Sequence, residues 1–282
     1  MEIDRKSIYA EANYFFSMDD IIDVAVDRVR QAYEFSQQQG KGPLYVCFSG
    51  GKDSVAVYGI CKRAFGQDLL KKCDFHYNVV GLDPPELVYF IRDNFPFVHW
   101  DHAEIPIWQS VLKHKTPPSR KIRYCCSEYK ERGGTGRWVV TGVRWQESKK
   151  REGREIFEGR DIDKILNNDN SEDRRQVEHC IPKNRYICNP IVDWSEDEVW
   201  RFIVKDNLPY CKLYDEGWDR LGCVGCPLAN VKERKREFDK YPFYKRKWIQ
   251  TFDKLVEIRK QAGLPLYQQT GEEIFNWWVN YL

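Results

Sequence analysis

The sequence predicts an α/β fold in which a parallel sheet is covered by helices on both faces, and three observations predict it. Short apolar runs recur at residues 45–48, 75–80, 97–102 and 138–142, each long enough for a strand. Helical spacing of apolar residues fills segments around and between them. Polar or glycine-bearing turns begin at Ser49, Gly81 and Gly142, directly after three of the runs. Strands alternating with helices require crossovers, which bury a parallel sheet from both sides. Ligands of such sheets sit beyond the carboxyl ends of the strands, so the loops after Ser49, Leu82 and Gly142 are expected to converge on one crevice.

Taken in order, residues 19–35 place Ile22, Val26, Val29 and Phe35 on or near one helical face, and Gly40-Lys41-Gly42-Pro43 ends that helix. After the strand at 45–48, Val55-Ala56-Val57-Tyr58-Gly59-Ile60 can be helical. The strand at 75–80 leads through Gly81-Leu82-Asp83-Pro84-Pro85-Glu86 into a helix reaching about residue 92. Residues 152–184 are polar and charged, and read either as a lid or as a solvated insertion. Ser195-Glu196-Asp197-Glu198 opens a helix with a serine cap and an acidic first turn. Beyond Cys226-Pro227 the chain reads as helical to its end. The expected division is an α/β domain over residues 1–230, including the cysteines described below, and a C-terminal helical extension over 231–282.

Bulk properties bound the function. The 282 residues allow one large domain or two small ones, and 42% apolar with 31% charged residues reads as a soluble globular chain. Mean hydropathy is −0.66. A formal net charge of +2 rules out general polyanion binding, so any such role falls to local patches. The N-terminus has no apolar leader and no stretch is long enough to span a membrane, so a cytoplasmic location and no membrane partner are expected. Ten cysteines in a reducing compartment point to ligands, redox groups or buried fillers rather than disulfides.

The densest chemistry lies at Ser49-Gly50-Gly51-Lys52-Asp53-Ser54. A strand turning tightly into a helix aims free N–H groups and the positive end of the helix dipole at one point. Gly50 and Gly51 allow close approach, Ser49 and Ser54 add hydroxyls, and Lys52 adds a cation, all suited to phosphate. The commoner phosphate loop would need glycine at position 46 and Ser or Thr at 53, where Val46 and Asp53 stand. An ordinary Gly-Gly turn explains neither the flanking serines nor the strand-to-helix context. Asp53 has two open roles, holding Mg²⁺ or capping the helix.

A second constellation is Cys125-Cys126 with Cys223-Val224-Gly225-Cys226. A Cys-x-x-Cys loop puts two thiolates on one metal centre. Adjacent cysteines diverge, which suits a cluster of several metal atoms better than one tetrahedral zinc, although a zinc site or buried thiols remain open.

The first motif resembles the pyrophosphate loop of the PP-loop ATPases, which cut ATP between its α and β phosphates. The two motifs together resemble the phosphoadenosine phosphosulfate reductase family, closest in pattern to iron–sulfur members such as the PP-loop subunits of DNA phosphorothioation systems. The likeness continues through Thr141-Gly142-Val143-Arg144-Trp145-Gln146-Glu147-Ser148, Asn189-Pro190-Ile191-Val192-Asp193-Trp194 and Leu213-Tyr214-Asp215-Glu216-Gly217. It implies a Rossmann-like sheet of the PP-loop/HUP type. It also implies ATP or a related adenine nucleotide held by Ser49, Gly50, Gly51, Lys52, Asp53, Ser54, Gly142 and Arg144, with Lys52, Asp53 and Arg144 catalytic. Arg144 as a planar fork suits phosphate oxygens. Mg²⁺ is implied with the nucleotide, and a [4Fe-4S] cluster at Cys125, Cys126, Cys223 and Cys226. Asp83 to Glu86 takes the place of the family's nucleotide-side loop, with only Pro85-Glu86 matching well.

A reductase of this family uses a cysteine near its C-terminus, and none follows Cys226 here. The expectation is therefore an ATP pyrophosphatase that adenylates a substrate for sulfur transfer. The alternatives are a sulfonucleotide reductase with a thiol from elsewhere, and a non-catalytic nucleotide-binding subunit with a structural metal. Sulfur would come from a cysteine desulfurase or another donor. Cys61, Cys73, Cys180, Cys188 and Cys211 are candidate persulfide carriers, each more often a small buried hydrophobe; Cys47 reads as core. Nucleic acid is a candidate acceptor, because cations crowd residues 113–154 and interleave with aromatics at Lys232-Glu233-Arg234-Lys235-Arg236, Tyr241, Phe243, Tyr244, Lys245-Arg246-Lys247 and Trp248. Against that reading stands an amphipathic helix with its aromatics in the core.

Overall fold

Leu44–Cys47 forms β1, the central strand of a six-stranded sheet, with its first three residues buried. The computed structural model describes residues 17–149, 151–159 and 185–281. Before β1 runs α1 (Met18–Gln38), which buries Ile22, Ala25, Val26, Val29 and Ala32 along one face. After it come α2 (Lys52–Phe65), the short α3 (Leu69–Lys72) and β2 (Cys73–Val79). Then follow α4 (Pro85–Asn94), β3 (His99–His102), α5 (Ile107–His114), α6 (Tyr124–Tyr129) and β4 (Trp138–Val140). The chain continues through β5 (Phe157–Gly159), β6 (Tyr186–Cys188) and α7 (Glu196–Lys205), and ends in α8 (Val231–Lys240), α9 (Pro242–Gln261) and α10 (Gly271–Tyr281).

The strand order is β3-β2-β1-β4-β6-β5. β1 pairs in parallel with β2 and β4, β4 pairs in parallel with β6, and β5 pairs antiparallel with β6. The expected parallel α/β sheet is therefore present. From β1 the chain moves outward to β2 and β3, then returns to the other side of β1 as β4. That reversal makes the carboxyl ends of β1 and β4 a topological switch point, the place where ligands of such sheets bind. The antiparallel β5–β6 edge was not legible in sequence, because three-residue strands carry too little periodicity.

The chain divides into two compact units, neither continuous in sequence. The first comprises Met1–Tyr77, Glu86–Trp100 and Gly133–Arg220. Its core includes Trp138, Trp194 and Trp200, each fully or almost fully buried. Burying side chains of this size contributes about 1.5–3 kcal/mol apiece. The second comprises Asn78–Pro85, Asp101–Arg132 and Leu221–Leu282. It is built on Trp248, Phe252, Phe238, Phe275 and Trp278 with Val80, Leu82, Ile107 and Val111. The boundary read at residue 230 thus lies inside the second unit, where Cys125, Cys126, Cys223 and Cys226 fold with the C-terminal helices. Long-range packing of α5 and α6 onto those helices groups them, and linear composition carries no trace of it.

The helix signals behave as their chemistry dictates. Ser195 caps α7 in a capping box: its Oγ accepts the Glu198 N–H at 3.2 Å, and Glu198 Oε2 accepts the Ser195 N–H at 2.6 Å. Asn230 and Glu233 form the same box at the start of α8. The stretch after 226 is helical as expected. Residues 160–184, most of the polar segment, lie outside the described residues, as do Cys180 and Lys150. Among the described residues no helix is long and apolar enough to cross a membrane.

Candidate functional site

The 49–54 loop joins β1 to α2, with Gly51 as the N-cap of α2 and Lys52 its first residue. Gly51 offers no side-chain cap, so the N–H groups of the first turn depend on partners from elsewhere. Gly50 sits at φ 73, and a Cβ there would come within 2.7–2.8 Å of Ile91 and Leu87, so glycine is required on both counts. Ser54 Oγ donates to the Gly51 carbonyl at 2.8 Å and accepts the Ser49 N–H at 3.2 Å, which ties the two ends of the loop together. The loop is shaped by its own hydroxyls before any ligand arrives.

Lys52 is 6% exposed. Its Nζ donates to the Asp219 carbonyl at 3.2 Å and lies 3.5 Å from Glu196 and 3.8 Å from Asp53. Its backbone N–H donates to the Tyr214 hydroxyl at 2.8 Å. The Tyr214 ring is 2% exposed and meets Trp200 edge-on at 4.9 Å. Burial pushes the Tyr214 phenol far up, so it stays neutral.

Arg144 follows β4 across the switch point. Its Nε donates to Asp53 Oδ1 at 2.6 Å, and its Nη1 to the Gln146 side chain and the Trp194 carbonyl, each at 3.3 Å. Gln146 Oε1 also accepts the Glu196 N–H at 2.8 Å, so Arg144, Gln146, Glu196, Lys52 and Asp53 form one polar chain. A Cβ on Gly142 would meet the Asp53 backbone at 3.0 Å, so glycine lets the β4 loop touch the start of α2. Arg144, 3% exposed, is thus a brace between the two loops, with Nε and Nη1 already engaged. The Asp53 carboxylate is paired with Arg144, and Gly51 rather than Asp53 is the N-cap of α2.

The second unit brings the four sequence-predicted cysteines together. The Cys125 thiol, on α6, feels the charge of Cys126, Cys223 and Cys226. Cys125 donates to Cys126, and with Arg123 beside it the Cys126 thiol is drawn down to about 5, while Cys125 is pushed up. Burial pushes Cys223 up to about 12. The neighbouring Cys223 sulfur in turn raises the Lys130 ammonium. Glu237 Oε2 accepts the Gly225 N–H at 2.6 Å and fixes the Cys-x-x-Cys loop to α8. Among the described residues no group of three or more His, Cys, Asp or Glu side chains is arranged as a metal cage. The donor chemistry still fits a thiolate-bound cluster, since four thiols share one environment and Arg123 and Lys130 supply positive charge to thiolates. Asp83 belongs to this unit too, and its charge acts on Lys130 and Cys223.

Other candidates separate cleanly. Cys61, Cys73, Cys188 and Cys211 are buried, in keeping with small hydrophobes, and Cys47 packs against the core of the first unit. Of the aromatics interleaved with the basic residues, Tyr241 and Trp248 are buried and Tyr244 donates to the Asp83 carbonyl at 2.8 Å, whereas Phe243 is 55% exposed. Arg234 is buried and donates to the Trp278 carbonyl at 2.7 Å. The amphipathic account of these helices therefore holds for most of the run. Sequence reasoning missed Glu196 and gave Tyr214 no role. Glu196 was legible only as part of an acidic first turn, and the Tyr214 contact spans 162 residues.

Comparison with known proteins places residues 43–229 on the family model described as the phosphoadenosine phosphosulfate reductase domain, more than half of the chain. An uncharacterized protein of Methanocaldococcus jannaschii is 26% identical over 234 residues, covering 79% of this chain and 43% of that one. The chain thus spans less than half the length of that relative. An adenosine 5'-phosphosulfate reductase of Lysinibacillus sphaericus is 24% identical over 238 residues, covering 77% of this chain and 86% of that one. Among solved structures, a U34-tRNA thiolase from Methanococcus maripaludis with its [4Fe-4S] cluster aligns with a TM-score of 0.43 at 13% identity, over 94% of this chain and 87% of that one.

Proposed function

The chain belongs to the phosphoadenosine phosphosulfate reductase domain family, and from that premise we propose that it is a PP-loop ATP pyrophosphatase that adenylates a substrate for sulfur transfer. The observation that carries this reading is the 49–54 loop, whose first-turn N–H groups, hydroxyls and buried Lys52 together suit an anion the size of pyrophosphate. In the proposed reaction a substrate oxygen attacks the α-phosphorus of ATP, the bond to the β-phosphate oxygen breaks, and pyrophosphate leaves into the loop. The terminal sulfur of a persulfide donor then displaces AMP to form a donor–substrate disulfide, and a dithiol reductant cleaves that disulfide to release the thiolated substrate and the donor's thiol. Lys52 and the start of α2 stabilise charge on the departing pyrophosphate, and Arg144 acts by holding Asp53 and the Gly142 loop in place.

Cys125, Cys126, Cys223 and Cys226 would hold a [4Fe-4S] cluster, with Arg123 and Lys130 balancing thiolate charge. Such a cluster supplies an electron store or a binding point for soft sulfur species. The sulfur acceptor is a nucleotide or nucleic acid on this reading, and the exposed Lys232, Lys235, Arg236, Lys245, Arg246 and Lys247 offer phosphates a cationic surface.

A second reading, adenosine phosphosulfate reduction with a thiol supplied from elsewhere, is favoured by the name of the Lysinibacillus relative. One experiment separates the two: anaerobically purified protein is incubated with ATP, and separately with adenosine phosphosulfate and a dithiol reductant. Pyrophosphate and AMP from ATP support the first reading. Sulfite from adenosine phosphosulfate, without pyrophosphate from ATP, overturns it.

A further inference from the structure

Helix α2 begins with an N–H that already has a partner. The Lys52 amide donates at 2.8 Å to Tyr214, whose ring lies 5.7 Å below the Lys52 ammonium. A Cβ on Gly51 would come 3.4 Å from the same hydroxyl, so that oxygen lies against the N-cap of α2 as well. One partner of the Tyr214 oxygen is thus a group that a phosphate oxygen would meet there, a first-turn N–H at 2.8 Å. The hydroxyl is carried on a buried ring that meets Trp200 edge-on at 4.9 Å.

We propose that the Tyr214 hydroxyl is a placeholder for a phosphate oxygen, satisfying the Lys52 N–H in the empty loop and giving it up when a pyrophosphate-type anion enters. The proposal rests on reading the 49–54 loop as an anion cradle and goes beyond it by assigning Tyr214 as a positioning residue. A helix-terminal N–H left bare in a buried setting is costly, and a neutral phenol is a weaker acceptor than a charged phosphate oxygen. The exchange therefore runs toward the anion, but part of the anion's binding energy is spent on displacing the hydroxyl. For a reaction that must release pyrophosphate, a built-in competitor speeds the return to the empty loop.

The test is calorimetric titration of the whole chain with inorganic pyrophosphate. Tyr214→Phe removes the competitor and keeps the ring, so it should bind about tenfold more tightly than wild type. Structural damage lowers affinity, so a gain cannot come from damage. Wild-type binding with equal or weaker binding by Tyr214→Phe overturns the placeholder and leaves the cradle standing. No binding by wild type overturns the cradle itself. A second readout covers a variant that fails to fold: with ¹⁵N-lysine label in the wild-type chain, pyrophosphate should shift the Lys52 amide resonance, and an unmoved resonance on a saturated protein overturns the proposal.

Discussion

The anion loop and the cysteine group differ in how much of each is finished by the fold alone. In the loop the polar groups named above already have protein partners: Ser54 closes onto Gly51 and Ser49, Tyr214 covers the Lys52 amide, and Arg144 neutralises Asp53. The four thiols share a charge environment but do not form a metal cage. A strand-to-helix turn is fixed by backbone geometry and hydroxyl chemistry, whereas thiols that repel as thiolates need a cation between them to settle. The loop is held by its own contacts without a ligand, and the cysteines lack such internal fixing.

The sharpest break of that contrast is Lys52→Ala. It should cut turnover of ATP to pyrophosphate about a hundredfold or more while iron and sulfide content stay at wild-type levels. Loss of both together would make the two sites one unit. Cys223→Ser is the mirror experiment: visible absorption and bound iron should fall away, and calorimetric nucleotide affinity should persist.

Gly142→Ala tests how finished the loop is. Its new methyl would press on the Asp53 backbone at 3.0 Å, where nothing flexible can yield, so thermal unfolding should show a loss of about 1–3 kcal/mol. Asp53→Asn decides between brace and metal ligand. As a brace it leaves the buried Arg144 charge without its anion, and stability should drop by about 2 kcal/mol. Unchanged stability with abolished Mg²⁺-dependent turnover would favour the metal role. The smallest effect belongs to Ser195→Ala, which removes the cap of α7 and should cost about 1 kcal/mol in denaturant melts without changing iron content.

The sequence by itself determined the strand-to-helix turn at 49–54, the four cysteines as a set, the parallel α/β class and the capping boxes. The turn and the capping boxes are local: a strand, a tight turn and a helix start are written within ten residues, and Ser-x-x-Glu carries its own hydrogen bonds. Only the tertiary structure decided that Arg144 spends its Nε on Asp53, that Tyr214 stands on the Lys52 amide, and that the cysteines fold with the C-terminal helices. The Asp53–Arg144 and Lys52–Tyr214 contacts join side chains 91 and 162 residues apart. The sheet's reversal at β1 brings the Arg144 loop to Asp53, and a buried ring edge-on to Trp200 carries the Tyr214 hydroxyl. No periodicity along the chain encodes which distant side chain reaches a given loop first.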